Sequence, residues 1–101
     1  MDIILFQDVD VFIESLQKPT RAKWARLLDL LVIYGSSLGM PHARRLPDGM
    51  MELRVRGQQE VRAFTVVSGR HMIVLHAFLK KTQKIPPKEL RIAKRRIESL
   101  T

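Results

Sequence analysis

Residues 51–82 read MELRVRGQQEVRAFTVVSGRHMIVLHAFLKKT and contain three apolar runs, separated by glycine-bearing breaks at 57–59 and 68–69. Each run either alternates between apolar and polar residues or is rich in β-branched side chains, and both patterns are typical of β-strands. Short breaks of this kind connect neighbouring antiparallel strands. The stretch therefore predicts the antiparallel centre of a sheet, and the flanking sequence predicts what covers it.

Five cations are set into these predicted strands: Arg54, Arg56, Arg62, Lys80 and Lys81. Because side chains alternate between the two faces of a strand, the first four fall on one face and Lys81 turns to the other. His76 shares the face of Lys80. A rigid surface that carries a row of cations suits a polyanion.

The same alternation predicts a second, apolar face that meets helices. Its members are Leu53, Val55, Val61, Ala63, Thr65, Val67, Ile73, Leu75, Ala77 and Leu79. The cationic face also carries apolar residues that need a cover of their own: Phe64, Val66, Met72, Val74 and Phe78.

The N-terminal segment predicts one strand and a first helix. Residues 2–6 form a short apolar run, and Asp8 or Asp10 can cap a helix whose apolar residues recur at helical spacing. Pro19 is expected to end that helix.

A second helix is predicted from a Thr20 cap to about Tyr34, with Gly35 as its stop signal. Its broad apolar stripe is typical of a helix that lies on a sheet. We expect Trp24 and Tyr34 to pack in the core, because large aromatic side chains are highly buried on average.

The remaining segments predict a loop and a last helix. Residues 36–49 carry two glycines and two prolines and are expected to be irregular, with Arg44 and Arg45 exposed for phosphate contact or simply solvated. Pro86 and Pro87 block the last strand and suit a helix start. Leu90, Ala93, Ile97 and Leu100 then form an apolar stripe that can pack on Phe64, Met72 or Phe78.

Length and charge narrow the function classes. The chain has 101 residues, which suits one domain spanning 1–101, and a net charge of +8. Residues 1–53 carry 6 bases and 7 acids, whereas residues 54–101 carry 12 bases and 3 acids. Such asymmetry indicates a nucleic-acid partner ahead of an acidic protein or an anionic membrane surface.

Composition also excludes several classes of site. The absence of cysteine excludes disulfides, thiolate zinc sites and cysteine nucleophiles. No apolar run approaches the roughly 18 residues that span a bilayer, and Met1 is followed by an acid, unlike a signal peptide. We therefore expect a cytoplasmic protein that does not enter membranes.

No metal or cofactor site is predicted. His71 and His76 are five residues apart on one predicted strand and so fall on opposite faces, while His42 lies in a distant loop. Only three carboxylates follow residue 53, which disfavours a two-metal nuclease. Two kinds of function remain: metal-free chemistry on a phosphodiester, with RNA as the substrate considered next, or nucleic-acid binding without catalysis.

RNA supplies its own nucleophile in the 2′-hydroxyl. A protein that cleaves it needs a base, cations for the charge of the transition state and an acid for the leaving oxygen. Arg54, Arg62 and Lys80 are candidates for stabilising the charge of the transition state, and His76 is a candidate for proton transfer. A histidine at such a position is more often a packed, hydrogen-bonded structural residue than a catalytic one.

Three segments resemble the RelE/ParE toxin superfamily: LPDGMMELRVR at 46–56, the EVRAFTVV strand at 60–67, and LHAFLKKTQKIPPKELRIAKRR at 75–96. The last is the most specific, through its F-x-K-K-T-x-x-x-P-x-x-E pattern, and it resembles the phage-derived HigB-like branch. The resemblance implies an α+β, RelE-like fold: an N-terminal strand and two helices on a mainly antiparallel sheet, then a basic C-terminal helix.

The resemblance also implies a function. Such proteins are toxins of type II toxin–antitoxin systems, metal-independent endoribonucleases that cleave mRNA on the ribosome and inhibit translation. The expected partners are therefore mRNA, the ribosome and a cognate antitoxin, which in HigB-like pairs is a small helix-turn-helix protein of the HigA type. No cofactor is implied.

The site residues implied by the resemblance are the strand arginines Arg54 and Arg62 and the base that closes the last strand, Lys80 or Lys81. Further RNA or phosphate contacts are expected at Arg56, Lys84, Arg44, Arg45 and Arg91.

The sequence departs from the family in one respect. Several RelE-type toxins use a tyrosine near the C-terminus, but the single tyrosine here is Tyr34, in the second predicted helix. Lys80, His76 and Glu52 therefore stay open as proton-transfer groups. Two other functions also stay open: a ParE-like poison of DNA gyrase, and a basic nucleic-acid-binding module without enzymatic activity.

Overall fold

The computed structural model describes residues 1–100 and has the α+β class expected from the sequence, with the expected elements in the expected order and one additional strand. The strands are β1 (Asp2–Leu5), β2 (Ala43–Arg45), β3 (Met51–Val55), β4 (Val61–Ser68) and β5 (His71–Leu79). The helices are α1 (Gln7–Glu14), α2 (Lys18–Tyr34) and α3 (Pro87–Glu98), with single 3₁₀ turns at Gly35–Ser37 and Pro47–Gly49. None of the helices found in residues 1–100 is both long and apolar enough to cross a bilayer.

The five strands form one mixed sheet in the order β1-β5-β4-β3-β2. β2, β3, β4 and β5 pair antiparallel in sequence order, and β1 pairs parallel to β5. Both edges are short, with four residues in β1 and three in β2. Short edge strands leave few unpaired backbone groups for unwanted strand pairing.

The larger core lies between one face of this sheet and helices α1 and α2. Trp24 is 4% exposed, which confirms its predicted burial, but Tyr34 is 54% exposed and its predicted burial is wrong. The buried stripe of α2 passes through Thr20, Trp24, Leu27 and Leu31 and continues to Gly35, so Tyr34 points to solvent. Gly35 packs so closely on Met1 that a β-carbon there would lie 3.1 Å from the Met1 sulfur.

A β-bulge in β5 changes the predicted faces of the sheet. Phe64 pairs with His76 and Thr65 with Val74, so Leu75 has no partner in the register. An extra residue on one strand moves all residues beyond it to the other face. Leu75 and Ile73 therefore pack on the α3 side, and Met72 and Val74 pack under α1 and α2, opposite to the faces predicted by simple alternation.

Because of the bulge, the predicted placement of two histidines is also wrong. His71 and His76 were expected on opposite faces, but His71 lies before the bulge and therefore shares the face of His76. They have different partners: His71 lies 3.7 Å from the Asp2 carboxylate, and His76 contacts Glu89. Nowhere in residues 1–100 do three or more His, Asp or Glu side chains group in a way that could hold a metal ion.

Helix α3 covers the second face of the sheet. Leu90, Ala93 and Ile97 pack in a cluster with Phe64 and Phe78, as the apolar stripe predicts. Leu100 does not join them, since it lies beyond the helix end and is 41% exposed. The other predicted contact of this stripe, Met72, lies in the opposite core.

Arg96 links α3 to α1 and β5 through hydrogen bonds. Its guanidinium donates to both carboxylate oxygens of Asp8 on α1, at 2.9 and 2.6 Å, and to the Leu75 carbonyl at 2.8 Å. It also lies 4.8 Å from the centre of the Phe6 ring. One side chain therefore joins α1, the bulge of β5 and α3.

The helix starts differ from their predictions. α1 begins at Gln7 with Phe6 as the N-cap, so Asp8 and Asp10 lie in the first turn and neither caps the helix. Acids in the first turn still stabilise a helix through its dipole. α1 ends at Glu14, and Pro19 lies at the start of α2, where the missing N–H of proline is harmless. Thr20 is buried inside α2 and does not cap it.

The segment predicted to be irregular contains the edge strand β2, which carries Arg44 and Arg45. Ala43 pairs with Leu53 and is 1% exposed, so one buried alanine anchors the strand to the core. A strand of three residues is too short to give a detectable alternation, which is why the sequence did not indicate it.

Candidate functional site

The face of the sheet that α3 covers carries two neighbouring rows of side chains. In one row, strand pairing places Arg44 beside Glu52, Glu52 beside Phe64, and Phe64 beside His76. In the next row, Arg54 pairs directly with Arg62. Directly opposed residues on antiparallel strands have β-carbons only about 5 Å apart, so the predicted strand arginines are brought together.

Arg54 is the member of this pair that reaches the surface. Its side chain is 13% exposed, and its Nε lies 3.4 Å from a carboxylate oxygen of Glu52. The pKa of Arg54 is lowered, first by burial and then by the neighbouring charge of Arg62, while Glu52 acts in the opposite sense. The guanidinium is therefore poorly solvated and faces a like charge, and both conditions favour the arrival of an anion.

Arg62 lies beside it on β4 and is 2% exposed. Its guanidinium donates to the carbonyl oxygens of Val61 at 2.9 Å and Val55 at 3.4 Å, and to Glu60 at 3.2 Å. Its Nε is buried without a hydrogen-bond partner in the described part of the chain. Arg62 thus places a second positive charge, itself paired with Glu60, beside Arg54 and has almost no surface of its own.

Glu52 is the buried counter-charge of this group. It is 1% exposed and lies between the Nε atoms of Arg54, at 3.4 Å, and Arg44, at 3.6 Å. Within residues 1–100 neither carboxylate oxygen has a hydrogen-bond partner of good geometry. The sequence suggested Glu52 only as a proton-transfer group, whereas its position makes it the residue that holds Arg54.

Glu60 belongs to the same network and was missed at the sequence level. One carboxylate oxygen accepts the Gly57 backbone N–H at 2.8 Å, and the other lies 3.2 Å from Arg62 and 3.6 Å from Arg56. The Gly57 hydrogen bond, assisted by Arg62, holds the pKa of Glu60 below its usual range. An acid three residues after a turn glycine, between Arg56 and Arg62, was the available signal.

His76 lies apart from the arginine pair. Its Nε2 lies 2.9 Å from a carboxylate oxygen of Glu89 on α3, and its ring stacks on Phe78 at 5.8 Å. Phe64 stands between His76 and Glu52 in the row. The His76–Glu89 pair is 13% and 17% exposed, so it forms a separate, half-buried acid–base pair near the start of α3.

The remaining predicted contacts lie at strand ends, on β2, before α3 or on α3. Arg56, Lys80 and Lys81 were predicted to lie inside strands, and this prediction is wrong. β3 ends at Val55 and β5 ends at Leu79, so the three residues come just after the strand ends. Lys80 continues the pairing, with its backbone N–H donating to the Glu60 carbonyl at 2.8 Å.

The other cations are exposed in different ways. Arg44 has a 52% exposed side chain beside Glu52. Arg45 turns away and donates to the Ser36 carbonyl at 2.7 Å. Lys81, Lys84 and Arg91 are exposed, the first two in the segment before α3 and the last on that helix.

Comparison with known proteins gives a match to a protein family. No curated protein matches the chain. A family model described as phage-derived protein Gp49-like matches residues 11–98, from within α1 to the last residue of α3. The matched region contains the arginine pair, both acids of its network and the His76–Glu89 pair. The chain therefore belongs to the phage-derived Gp49-like family, which is grouped with toxins of the RelE/HigB type.

Proposed function

We propose that this protein is the toxin of a type II toxin–antitoxin pair, of the HigB-like branch, and that it cleaves mRNA on the ribosome without a metal ion. The observation that carries the proposal is the Arg54–Arg62 pair, in which a surface guanidinium is backed by a buried one on the neighbouring strand. Family membership supports the toxin role. The activity would take place in the cytoplasm, where mRNA is translated.

The chemistry follows from the charge that develops in RNA cleavage. When the 2′-hydroxyl attacks the adjacent phosphorus, negative charge grows on the non-bridging oxygens, and a fixed cation stabilises that charge more than it stabilises the ground state. Arg54 contacts these oxygens through its guanidinium, which suits two-point binding of phosphate. Arg62 acts through Arg54, because its buried charge raises the potential at the neighbouring Arg54 guanidinium.

Proton transfer requires two further groups. Glu52 is 1% exposed and paired with Arg54, so we assign it to positioning. Lys80, at the end of β5 beside Glu60, and His76, oriented by Glu89, remain the two candidates for base and acid. Single replacements, Lys80→Met and His76→Gln, separate their roles through the pH dependence of the cleavage rate.

Further exposed cations, beyond the arginine pair, would bind the RNA backbone. They are Arg44, Arg45, Arg56, Lys81, Lys84 and Arg91. Contacts of this type weaken with salt and carry little sequence information, so codon preference would come from the ribosome and from contacts with bases.

The cognate antitoxin, a helix-turn-helix protein of the HigA type, is expected to place acidic side chains over this basic face or over α3. Complementary charge speeds association and fixes the orientation of a complex. An antitoxin interface that avoids both regions would contradict this part of the proposal.

Induced expression in bacterial cells tests the proposed function. Growth should stop, and the new 5′ ends of mRNA should lie within codons of translated messages. DNA supercoiling should stay unchanged. Intact mRNA combined with a supercoiling defect would support the ParE-like alternative, and RNA binding without growth arrest or cleavage would support a non-enzymatic binding module.

A further inference from the structure

A cleft lies between α2 and the end of β3. Its volume is about 230 Å³, and its floor is apolar, formed by Leu27, Leu30, Val55 and Pro41. The other five residues that line it are all basic and form its rim: Lys23, Arg26, His42, Arg54 and Arg56. No acid occurs among the described residues that line it. An apolar floor with a cationic rim suits a ligand that has a flat apolar part and an anionic part.

The cations of the rim are only partly used by the protein. Arg26 and the His42 ring have no hydrogen-bond or ion-pair partner within residues 1–100. Lys23 Nζ donates to the Arg56 carbonyl at 2.9 Å, which leaves further N–H groups of the ammonium free. The rim can therefore bind an anion without first breaking internal ion pairs other than those of Arg54 and Arg56.

A second cavity of about 240 Å³ continues the cleft beyond the Lys23–Arg56 contact. It is lined by more polar groups, among them Thr20, Gln58 and Gln59. Two adjacent cavities that share a lysine and an arginine have the layout expected for two successive units of a polymer whose charge lies between them.

The geometry points to a binding site for an unpaired nucleotide of single-stranded RNA in this cleft. The base would lie on the apolar floor beside the His42 ring, and the phosphate would contact Lys23, Arg26 and Arg56. Bases in single-stranded RNA commonly stack on histidine rings and guanidinium planes. The cleft is smaller than the roughly 300 Å³ lower limit of drug-sized ligand sites, as expected if the ribose stays outside.

An acidic peptide is the competing ligand, and two observations favour RNA. Arg54 lines the cleft and also belongs to the arginine pair, so one polyanion can pass over Arg54 into the cleft. The cleft also combines five basic residues with a volume of about 230 Å³, which suits one flat apolar group. The inference rests on the proposed function only for the choice of RNA as the ligand.

The test is binding of a 2′-O-methyl hexaribonucleotide of mixed sequence, which lacks the nucleophile for cleavage, measured by fluorescence anisotropy. The double variant Lys23→Ala/Arg26→Ala should bind about tenfold more weakly. The affinity should also depend less steeply on salt: loss of one phosphate contact should make the negative slope of log affinity against log salt concentration smaller in magnitude by about 0.7. The matched control Arg21→Ala/Arg70→Ala removes two exposed cations outside the cleft and should change neither quantity by as much.

A second variant keeps every charge. Leu30 is half-buried, lines the cleft and does not pack against the main core. We therefore expect Leu30→Phe to fill the cleft and to leave the fold intact. Leu30→Phe should weaken RNA binding as well, because the phenyl ring occupies the space in which the nucleobase would bind. Thermal melting curves for each variant confirm folding.

Equal weakening by both double variants, or no effect of Leu30→Phe, would overturn the inference, as would selective loss of antitoxin binding with RNA binding intact. Failure of the proposed function has a different signature. In that case the wild type binds the oligonucleotide through the cleft but neither arrests growth nor cleaves mRNA.

Discussion

Replacement of Glu52 by glutamine should destabilise the protein strongly while changing almost no volume. The Glu52 carboxylate is 1% exposed and is the close acidic neighbour of Arg54, at 3.4 Å. Arg54 in turn lies directly opposite Arg62 on the next strand. A neutral amide at position 52 leaves two guanidinium groups facing each other in a poorly solvated place.

The magnitude follows from the burial of the partners. Removal of one member of a buried ion pair typically lowers the free energy of unfolding by about 3–5 kcal/mol. Arg54 keeps 13% of its side chain in solvent and Arg44 keeps 52%, so we expect the lower end, about 3 kcal/mol. For a domain of this size, each kcal/mol shifts Tm by roughly 4–8 °C, which gives a fall of about 12–24 °C.

Urea denaturation and thermal melting of Glu52→Gln measure this effect. The control is Asp48→Asn, which removes the exposed ion pair with Lys94 and should change Tm little. The double variant Glu52→Gln/Arg54→Met should recover much of the lost stability, because it removes the unpaired charge together with its partner. A Tm of Glu52→Gln close to that of Asp48→Asn, or no recovery in the double variant, would refute the role of Glu52 as a counter-charge.

Three further predictions concern the α3 side of the molecule. Arg96→Met removes the hydrogen bonds to Asp8 and Leu75 and should lower the free energy of unfolding by on the order of 2 kcal/mol, measured by urea denaturation. The Arg96 hydrogen bond lowers the pKa of Asp8, so its stabilisation is present above the unfolded pKa of about 3.9 and is lost as pH falls through the lower folded pKa. Asp8→Asn should therefore be less stable than the wild type at pH 7, and equal stability at that pH would contradict the role of the pair. His76→Gln keeps a polar group beside Glu89 and should fold normally; if His76 transfers a proton, the cleavage rate loses one limb of its pH profile, and an unchanged profile assigns that step to Lys80.

The order of elements could be predicted because each element has a strong local signal. Three β-rich runs separated by glycines gave β3, β4 and β5, and the Pro86–Pro87 stop followed by a helical stripe gave α3. The bulge at Leu75 could not be predicted, since alternation is counted on the assumption that strand pairing is continuous. One extra residue was enough to exchange the predicted faces of Ile73 and Val74.

The site was predictable in part for a related reason. Arg54 and Arg62 have strand positions that alternation alone assigns to one face, and pairing places them side by side. The acidic partners Glu52, Glu60 and Glu89 depend on which residues meet across strands and between α3 and the sheet, which the chain order does not contain. The sequence therefore indicated the cations and left out the acids that position them.

The most direct test is the rate of mRNA cleavage by purified protein on programmed ribosomes under single-turnover conditions. Arg54→Lys keeps the positive charge beside Glu52, and hence the fold, but loses two-point contact with phosphate. We expect the cleavage rate to fall by about 100-fold or more, while the matched variant Arg70→Lys cleaves at the wild-type rate. Wild-type cleavage by folded Arg54→Lys, or cleavage by the wild type that requires added divalent metal beyond what ribosomes need, would contradict a metal-free reaction centred on Arg54.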